Sequence, residues 1–310
     1  MTSPRPLFFD AHAHLVAHDQ QRYPRNPLQR PADAPYRPPG VIGGPGGYHG
    51  PTPLNEVPDA EPMLRWMREQ NVDGAVAVQK RMVYRYDNRY ILDSAAAHPD
   101  LFAAVVILDA QDPDTPDMVR RLIDEGRIVG LRLFGGRQAD GSMPWLDSPQ
   151  ALQAWKVIDA AGLVMDLEVL AQGGGGPSIP ALLRLADRFP NVRIVLDHLL
   201  EPEMEEGAHF GLDERYETLG GRERIFLKFT SINLDICHSE NVPADRLLRR
   251  AVDLFGADHL MWGSDIGTSS GTYASMVQRM VDASQLLTPA EQRAVWHDTG
   301  RAVFAAGAAA

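Results

Sequence analysis

Apolar runs of strand length alternate along the whole chain with amphipathic runs of helix length. Strands are predicted at 7–14, 72–79, 102–108, 129–134, 163–169, 193–199, 225–231 and 260–265. Helical periodicity, with apolar residues three and four apart, is predicted at 60–70, 88–98, 115–125, 148–160, 178–189, 243–255 and 271–286. Several strands are unbroken apolar runs, such as AVAV and AAVVIL, the pattern of strands buried on both faces. Eight strands alternating with helices imply a parallel sheet with crossover helices, and eight is the number that closes a (β/α)8 TIM barrel. A doubly wound open sheet would carry a Gly-rich turn after its first strand. Here that position holds histidines, so a barrel over residues 1–310, as one domain, is the expectation.

Two stretches break the alternation. Residues 16–58 are rich in Pro and Gly and cannot form regular helix or sheet. The segment follows the first strand on the same end as the histidines and contains Tyr23, Tyr36 and Tyr48. It reads either as a linker or as an ordered lid over the barrel mouth. The run GGGG at 173–176 reads as a mobile loop; it lacks the Lys and Ser/Thr of a phosphate-binding loop.

Composition narrows the function classes. A formal charge of −11 argues against nucleic acid, whose phosphates demand basic patches. With Cys237 as the single cysteine, no internal disulfide can form, which points to a reducing compartment. The N-terminal residues carry no signal-peptide pattern and no apolar run is long enough to span a bilayer, so a cytoplasmic protein is expected.

The chemistry sits at the strand ends, which a barrel gathers around one mouth. FFDAHAHL places His12 and His14 two apart, hence on one face of a strand. Two imidazoles converging in this way suit zinc, manganese or iron. Strand 2 ends in Gln79, followed by Lys80 and Arg81, with Tyr84 and Tyr86 beyond. Strand 4 supplies Arg132, strand 5 Asp166 and Glu168, and strand 6 His198 beside Asp197. Strand 7 supplies Lys228 and Thr230, and strand 8 Asp265. Charged groups inside apolar strands are costly unless paired or ligated, so their recurrence at equivalent positions implies a functional cluster. Arg132 is expected either to hold a substrate carboxylate as a bidentate pair or to pair with Asp166 or Glu168. Lys228 is expected either as a substrate ligand or as an interior salt-bridge partner. Arg81 and Tyr86 are substrate-binding candidates on a loop that could equally be a solvated face. His49, His209, His238, His259 and His297 read as surface residues, and Trp262 as core.

FFDAHAHL, LDHL and MWGSDIG resemble the amidohydrolase superfamily, and specifically its amidohydrolase-related branch. That branch contains lactonases acting on pyrone dicarboxylates, sugar lactones and muconolactones, together with metal-dependent decarboxylases. YDNRYIL, the following AAAHPDLFAAVVILD, and RFPNVRIVLDHL look like its lactonase side. The resemblance runs from strand 1 to the C-terminal TPAEQRAVWHDTGRAVF. It implies that His12 and His14 are a metal pair, that His198 orients or polarises a carbonyl, and that Asp265 takes a proton from water. Strand 5 departs from the pattern: metal-dependent members carry His where this chain has Glu168. A carboxylate can replace imidazole on zinc or manganese, so the implied ligand set is His12, His14, Glu168 and Asp265. Pyrone-dicarboxylate lactonases of the branch work without metal, so the resemblance leaves metal use open; a divalent metal, zinc before manganese, is the expectation. The expected activity is opening of a small, possibly carboxylated lactone. The alternatives are metal-dependent non-oxidative decarboxylation and a non-catalytic acidic binding protein. A homo-oligomer is compatible with the sequence.

Overall fold

In a computed structural model of the chain, residues 6–26, 57–170, 174–204 and 207–305 are described. Eight strands form one parallel sheet in sequence order: β1 (Phe8–His14), β2 (Val72–Val78), β3 (Phe102–Ile107), β4 (Gly130–Gly136), β5 (Val164–Leu170), β6 (Arg193–Leu196), β7 (Ile225–Thr230) and β8 (Leu260–Gly263). The cylinder closes from β8 to β1 through a parallel bridge between Ala13 and Ile266 and a 2.7 Å hydrogen bond from the Asp265 amide to the His12 carbonyl. Asp10 reinforces the seam by accepting from the Ser264 amide and from the Tyr273 hydroxyl. The expected barrel is therefore present, and the seven predicted helices occur with ends shifted by no more than three residues. A further helix, Ser231–Ser239, follows β7 directly and is held by a capping box between Thr230 and Asn233. Its start is hidden in the sequence because Thr230 closes a strand and caps a helix at once.

Inside the cylinder, side chains two apart along each strand stack in layers. A lower layer of Phe9, Ala11, Val76, Val105, Val164, Val195 and Met261 packs on Val303 and Phe304. One step higher the same rows carry Arg132, Asp166, Asp197 and Lys228, and above them Lys80, Glu168, Thr230 and Asp265. β1 breaks the simple alternation. Phe9 and Ala11 belong to the lower layer, whereas Phe8 and Ala13 pack outward among the helices. Register shifts on either side of Asp10 change the parity, so that the even-numbered His12 and His14 take the inner side.

The segment expected to be a lid lies mostly outside the described residues, including Tyr36, Tyr48 and His49. Its ends are anchored. The Val16 amide bonds the Pro58 carbonyl at 2.9 Å, and Tyr23 is buried beside Val83 and Tyr84. Gly173 also lies outside; Gly174 to Gly176 turn into the helix Ile179–Arg188. Among the described residues no helix is long and apolar enough to cross a membrane.

Gly263 occupies the inner row opposite β1, and a Cβ there would come within 2.7 Å of the His12 Cβ. That atom is fixed to the backbone and cannot swing aside. Gly263→Ala should therefore lower stability by about 1–3 kcal/mol through overpacking, read as a drop in the melting temperature of the purified protein. An unchanged melting temperature would contradict this packing.

Candidate active site

A buried ion network underlies the mouth. Asp197 Oδ2 accepts from Arg132 Nε at 2.8 Å and Nη2 at 2.6 Å, and Asp197 Oδ1 lies 2.9 Å from Lys228 Nζ. Lys228 also bonds Asp166 at 2.7 Å, and Arg132 Nη2 bonds Glu168 Oε2 at 2.6 Å. Burial disfavours every charge in this layer, but Arg132, Lys228 and His12 together outweigh it at Asp197 and hold that carboxyl well below its ordinary range. Asp166 shows the opposite balance. Burial and the Asp197 charge push it up to about 7 despite Lys228 and Arg132.

Asp197 also fixes His12, whose Nδ1 lies 3.1 Å from Asp197 Oδ1. A proton on Nδ1 satisfies that carboxylate and leaves Nε2 with a bare lone pair. His14 is set in the same sense, since its Nδ1 donates to the Val78 carbonyl at 2.9 Å. Burial keeps both rings neutral: it pushes His12 well below the usual imidazole value and His14 down to about 4. Both Nε2 atoms turn toward Asp265 Oδ1, at 3.8 Å from His12 and 3.1 Å from His14. Burial raises Asp265, and what lowers it is an N–H or positive charge on the histidine side; with both rings neutral and bare at Nε2, a bound cation would take that place and keep the carboxylate ionised. Among the described residues neither His12 Nε2 nor Asp265 Oδ1 has a hydrogen bond. Two lone pairs facing a buried carboxylate oxygen form an unsatisfied group that a cation completes. The donor set fits a divalent metal ion held by His12, His14 and Asp265, whose ligand atoms lie within 4.8 Å of one another. A second triplet, His12, Asp197 and His198, meets the same spacing, but Arg132 and Lys228 already occupy Asp197.

His198 follows β6 in a turn where four consecutive non-glycine residues, His198 to Glu201, have positive φ (54°, 57°, 58° and 45°). Left-handed backbone costs about 1–2 kcal/mol per L-residue, so the turn must be held from outside. Asn233 Nδ2 donates to the His198 carbonyl, the Tyr216 hydroxyl to the Leu200 carbonyl, and the Gly175 amide to the Glu201 carbonyl. His198 Nδ1 pairs with the Thr230 hydroxyl at 2.7 Å, which aims Nε2 at the mouth, 3.9 Å from Glu168 Oε1.

Several expectations change here. Glu168 does not join His12, His14 and Asp265; Arg132 draws it to the His198 side, and it leaves the ligand set. Lys228 is fully buried beneath the histidines with its ammonium engaged, so it is the interior partner and not a substrate ligand. Arg132 is likewise committed, to Glu168 as one reading expected and to Asp197 in place of Asp166. Arg81 lies over the rings of Phe134 and Tyr86 beside a cavity of about 170 Å³ that also includes Trp145 and Asp109. Those two expected substrate contacts therefore line this cavity. His209 and His238 are exposed as expected, whereas His259 and His297 are half-buried and bonded to Ile225 and Asp73. Trp262 is core. From the sequence Lys80 is placed only as following strand 2, with no role. It is buried at the mouth, bonded to the Gly267 carbonyl and the Thr268 hydroxyl, and burial lowers it to about 8. The one available signal was its place directly after β2.

Three outcomes follow from this geometry. Asp197→Asn leaves Arg132 and Lys228 short of a buried counter-charge and should cost about 3–5 kcal/mol, measured by chemical denaturation; a loss below 1 kcal/mol would contradict the network. His14 is at about 4 in the folded protein against 6.5 unfolded. The unfolded chain therefore binds the extra proton between those values, and stability should fall as pH drops through that window. Zinc retention, followed by equilibrium dialysis, should likewise persist below pH 6 and fail near pH 4, whereas half-loss at 6.5 would mark an ordinary exposed imidazole.

Comparison with known proteins identifies the family and matches the fold. The chain is 28% identical over 226 residues to an L-fucono-1,5-lactonase of Burkholderia ambifaria, covering 71% of this chain and 74% of that protein. Its fold matches a crystal structure from Pseudomonas putida described as a 2-pyrone-4,6-dicarboxylic acid hydrolase, with a TM-score of 0.70 and 22% identity over 97% of this chain and 98% of that one. It also matches a zinc-bound amidohydrolase from Burkholderia multivorans, with a TM-score of 0.67 and 19% identity over 96% and 99% of the two chains. The amidohydrolase family model matches residues 9–305, and the chain belongs to that family.

Proposed function

We propose that this chain is a hydrolase that opens a small-molecule lactone with a divalent metal, zinc, held by His12, His14 and Asp265. The observation that carries the reading is the convergence of two neutral imidazole nitrogens and a buried carboxylate at the mouth of a closed barrel. The sequence relationship to a lactonase supports the choice of a cyclic ester. When bound, such an ion supplies Lewis acidity at a carbonyl and acidifies water.

The chain's own groups supply the rest. Asp265 is ionised, and its Oδ1 faces the two histidines while Oδ2 lies toward Ser269. Oδ2 accepts the proton of the attacking water and returns it to the ring oxygen as the ester bond breaks. His198 Nε2, aimed by Thr230 and flanked by the Glu168 carboxylate, donates to the carbonyl oxygen as negative charge develops there. Arg132 and Lys228 act indirectly: they keep Asp197 ionised, and Asp197 keeps His12 in the tautomer that faces the site.

The test is base uptake in a pH-stat across a panel of γ- and δ-lactones with zinc-loaded protein. Asp265→Asn should lower kcat/KM by about 100-fold or more, the range of a lost general base. Release of carbon dioxide from aromatic or unsaturated acids, with no base uptake on any lactone, would replace this reading with decarboxylation.

A further inference from the structure

The proposed ion accounts for the bare His12 Nε2 and Asp265 Oδ1, but other buried polar atoms of the described residues also lack partners, and one carboxyl among them has both oxygens bare. Glu201 is buried, and among the described residues no hydrogen bond reaches either of its carboxylate oxygens. It closes the left-handed turn that begins at His198, with its amide bonded to the His198 carbonyl at 3.0 Å. Glu168, Asp197 and Arg132 all lie within electrostatic reach of it, and burial together with the two carboxylates pushes Glu201 well above its ordinary range.

The surrounding chain is shaped to hold this group. Gly175 bonds the Glu201 carbonyl, and a Cβ on Gly175 would fall 2.2 Å from the Leu200 carbonyl oxygen; a Cβ on Gly174 would fall 2.7 Å from that of Glu201. The glycine run after β5 thus lets two backbones approach closely enough to bury Glu201. A buried polar atom with no partner is costly, and a strained turn that creates one points to a ligand that completes it.

We propose that Glu201 is a specificity-determining residue that bonds a ring hydroxyl of the substrate. The inference rests on the lactone reading and narrows it to hydroxylated lactones. Hydroxyl groups can donate to and accept from a protonated carboxyl, satisfying both oxygens. A substrate carboxylate at this position would meet Glu168 and Glu201, while Arg132 and Lys228 are already committed to Asp197, Glu168 and Asp166. The carboxylated substrate expected from the sequence is therefore disfavoured on this side of the mouth.

The experiment compares binding of two non-hydrolysable lactams to zinc-loaded protein by calorimetry: a trihydroxylated δ-lactam and the unsubstituted δ-lactam. Wild-type protein should prefer the hydroxylated ligand by about tenfold or more, the equivalent of one well-placed hydrogen bond. Glu201→Leu should abolish that preference by weakening only the hydroxylated ligand, and should melt no lower than wild type because it removes an unpaired buried carboxyl. Glu201→Gln, which keeps a donor and an acceptor, should retain most of the preference. A preference in Glu201→Leu within twofold of wild type, or equal loss of both lactams, would overturn the assignment. Failure of the lactone reading would appear elsewhere, as absence of turnover of any lactone by wild-type protein, and the lactam preference would still report on Glu201.

Discussion

Asp197 carries one negative charge against two buried cations and an imidazole N–H. Arg132 comes from β4, Lys228 from β7 and His12 from β1, so this carboxylate at the end of β6 ties four sectors of the barrel to a single point. Neither cation has water to fall back on: Lys228 is fully buried and Arg132 nearly so. Charges in such a setting persist only when each is paired and hydrogen-bonded. The network does not add much net stability, since ion pairs of this kind roughly break even against apolar packing. What it adds is orientation. The His12 ring is held by its Nδ1 so that Nε2 emerges at the mouth.

The features above it inherit that orientation. Gly263 makes room for the His12 Cβ, and the register shifts in β1 turn both histidines inward. The hydrogen bond from the Asp265 amide to the His12 carbonyl closes the barrel at a residue of the candidate metal site. Asp265 itself has a left-handed φ of 48°, a strain that persists because closure and the contact with His14 both depend on it. Barrel closure and the donor set thus share residues, so a defect in the β8–β1 seam reaches both.

The barrel and the residues of its candidate metal site were legible in the sequence. Unbroken apolar runs such as AAVVIL mark strands buried on both faces, and His12 and His14 stand two apart where strand geometry makes them neighbours. Asp265 was legible as the polar end of the last strand. The rest depended on pairings between distant segments. A pairing of Arg132 with Glu168, 36 residues away, was one of two readings the sequence offered, but nothing near Glu168 reveals that it draws the carboxylate away from His12, His14 and Asp265. Asp197 looked like a neighbour of His198 because its three partners are scattered between residues 12 and 228. The turn from His198 to Glu201 was invisible for another reason: left-handed backbone is ordinarily announced by glycine, and DHLLE contains none. Its strain is held by Tyr216, Asn233 and Gly175, which only the fold brings together.

The tautomer of His12 is where the account is most exposed. Lys228 Nζ lies 3.2 Å from the same Nδ1 that faces Asp197, and a proton donated by the lysine would move the ring proton to Nε2. Nitrogen-15 NMR of the metal-free protein, with the histidines assigned by substitution, distinguishes the two states directly. Neutral His12 and His14 rings at pH 7, each protonated on Nδ1 and bare at Nε2, are the predicted result. A His12 ring carrying its proton on Nε2, or charged on both nitrogens, would contradict the claim that Asp197 prepares this site for a cation.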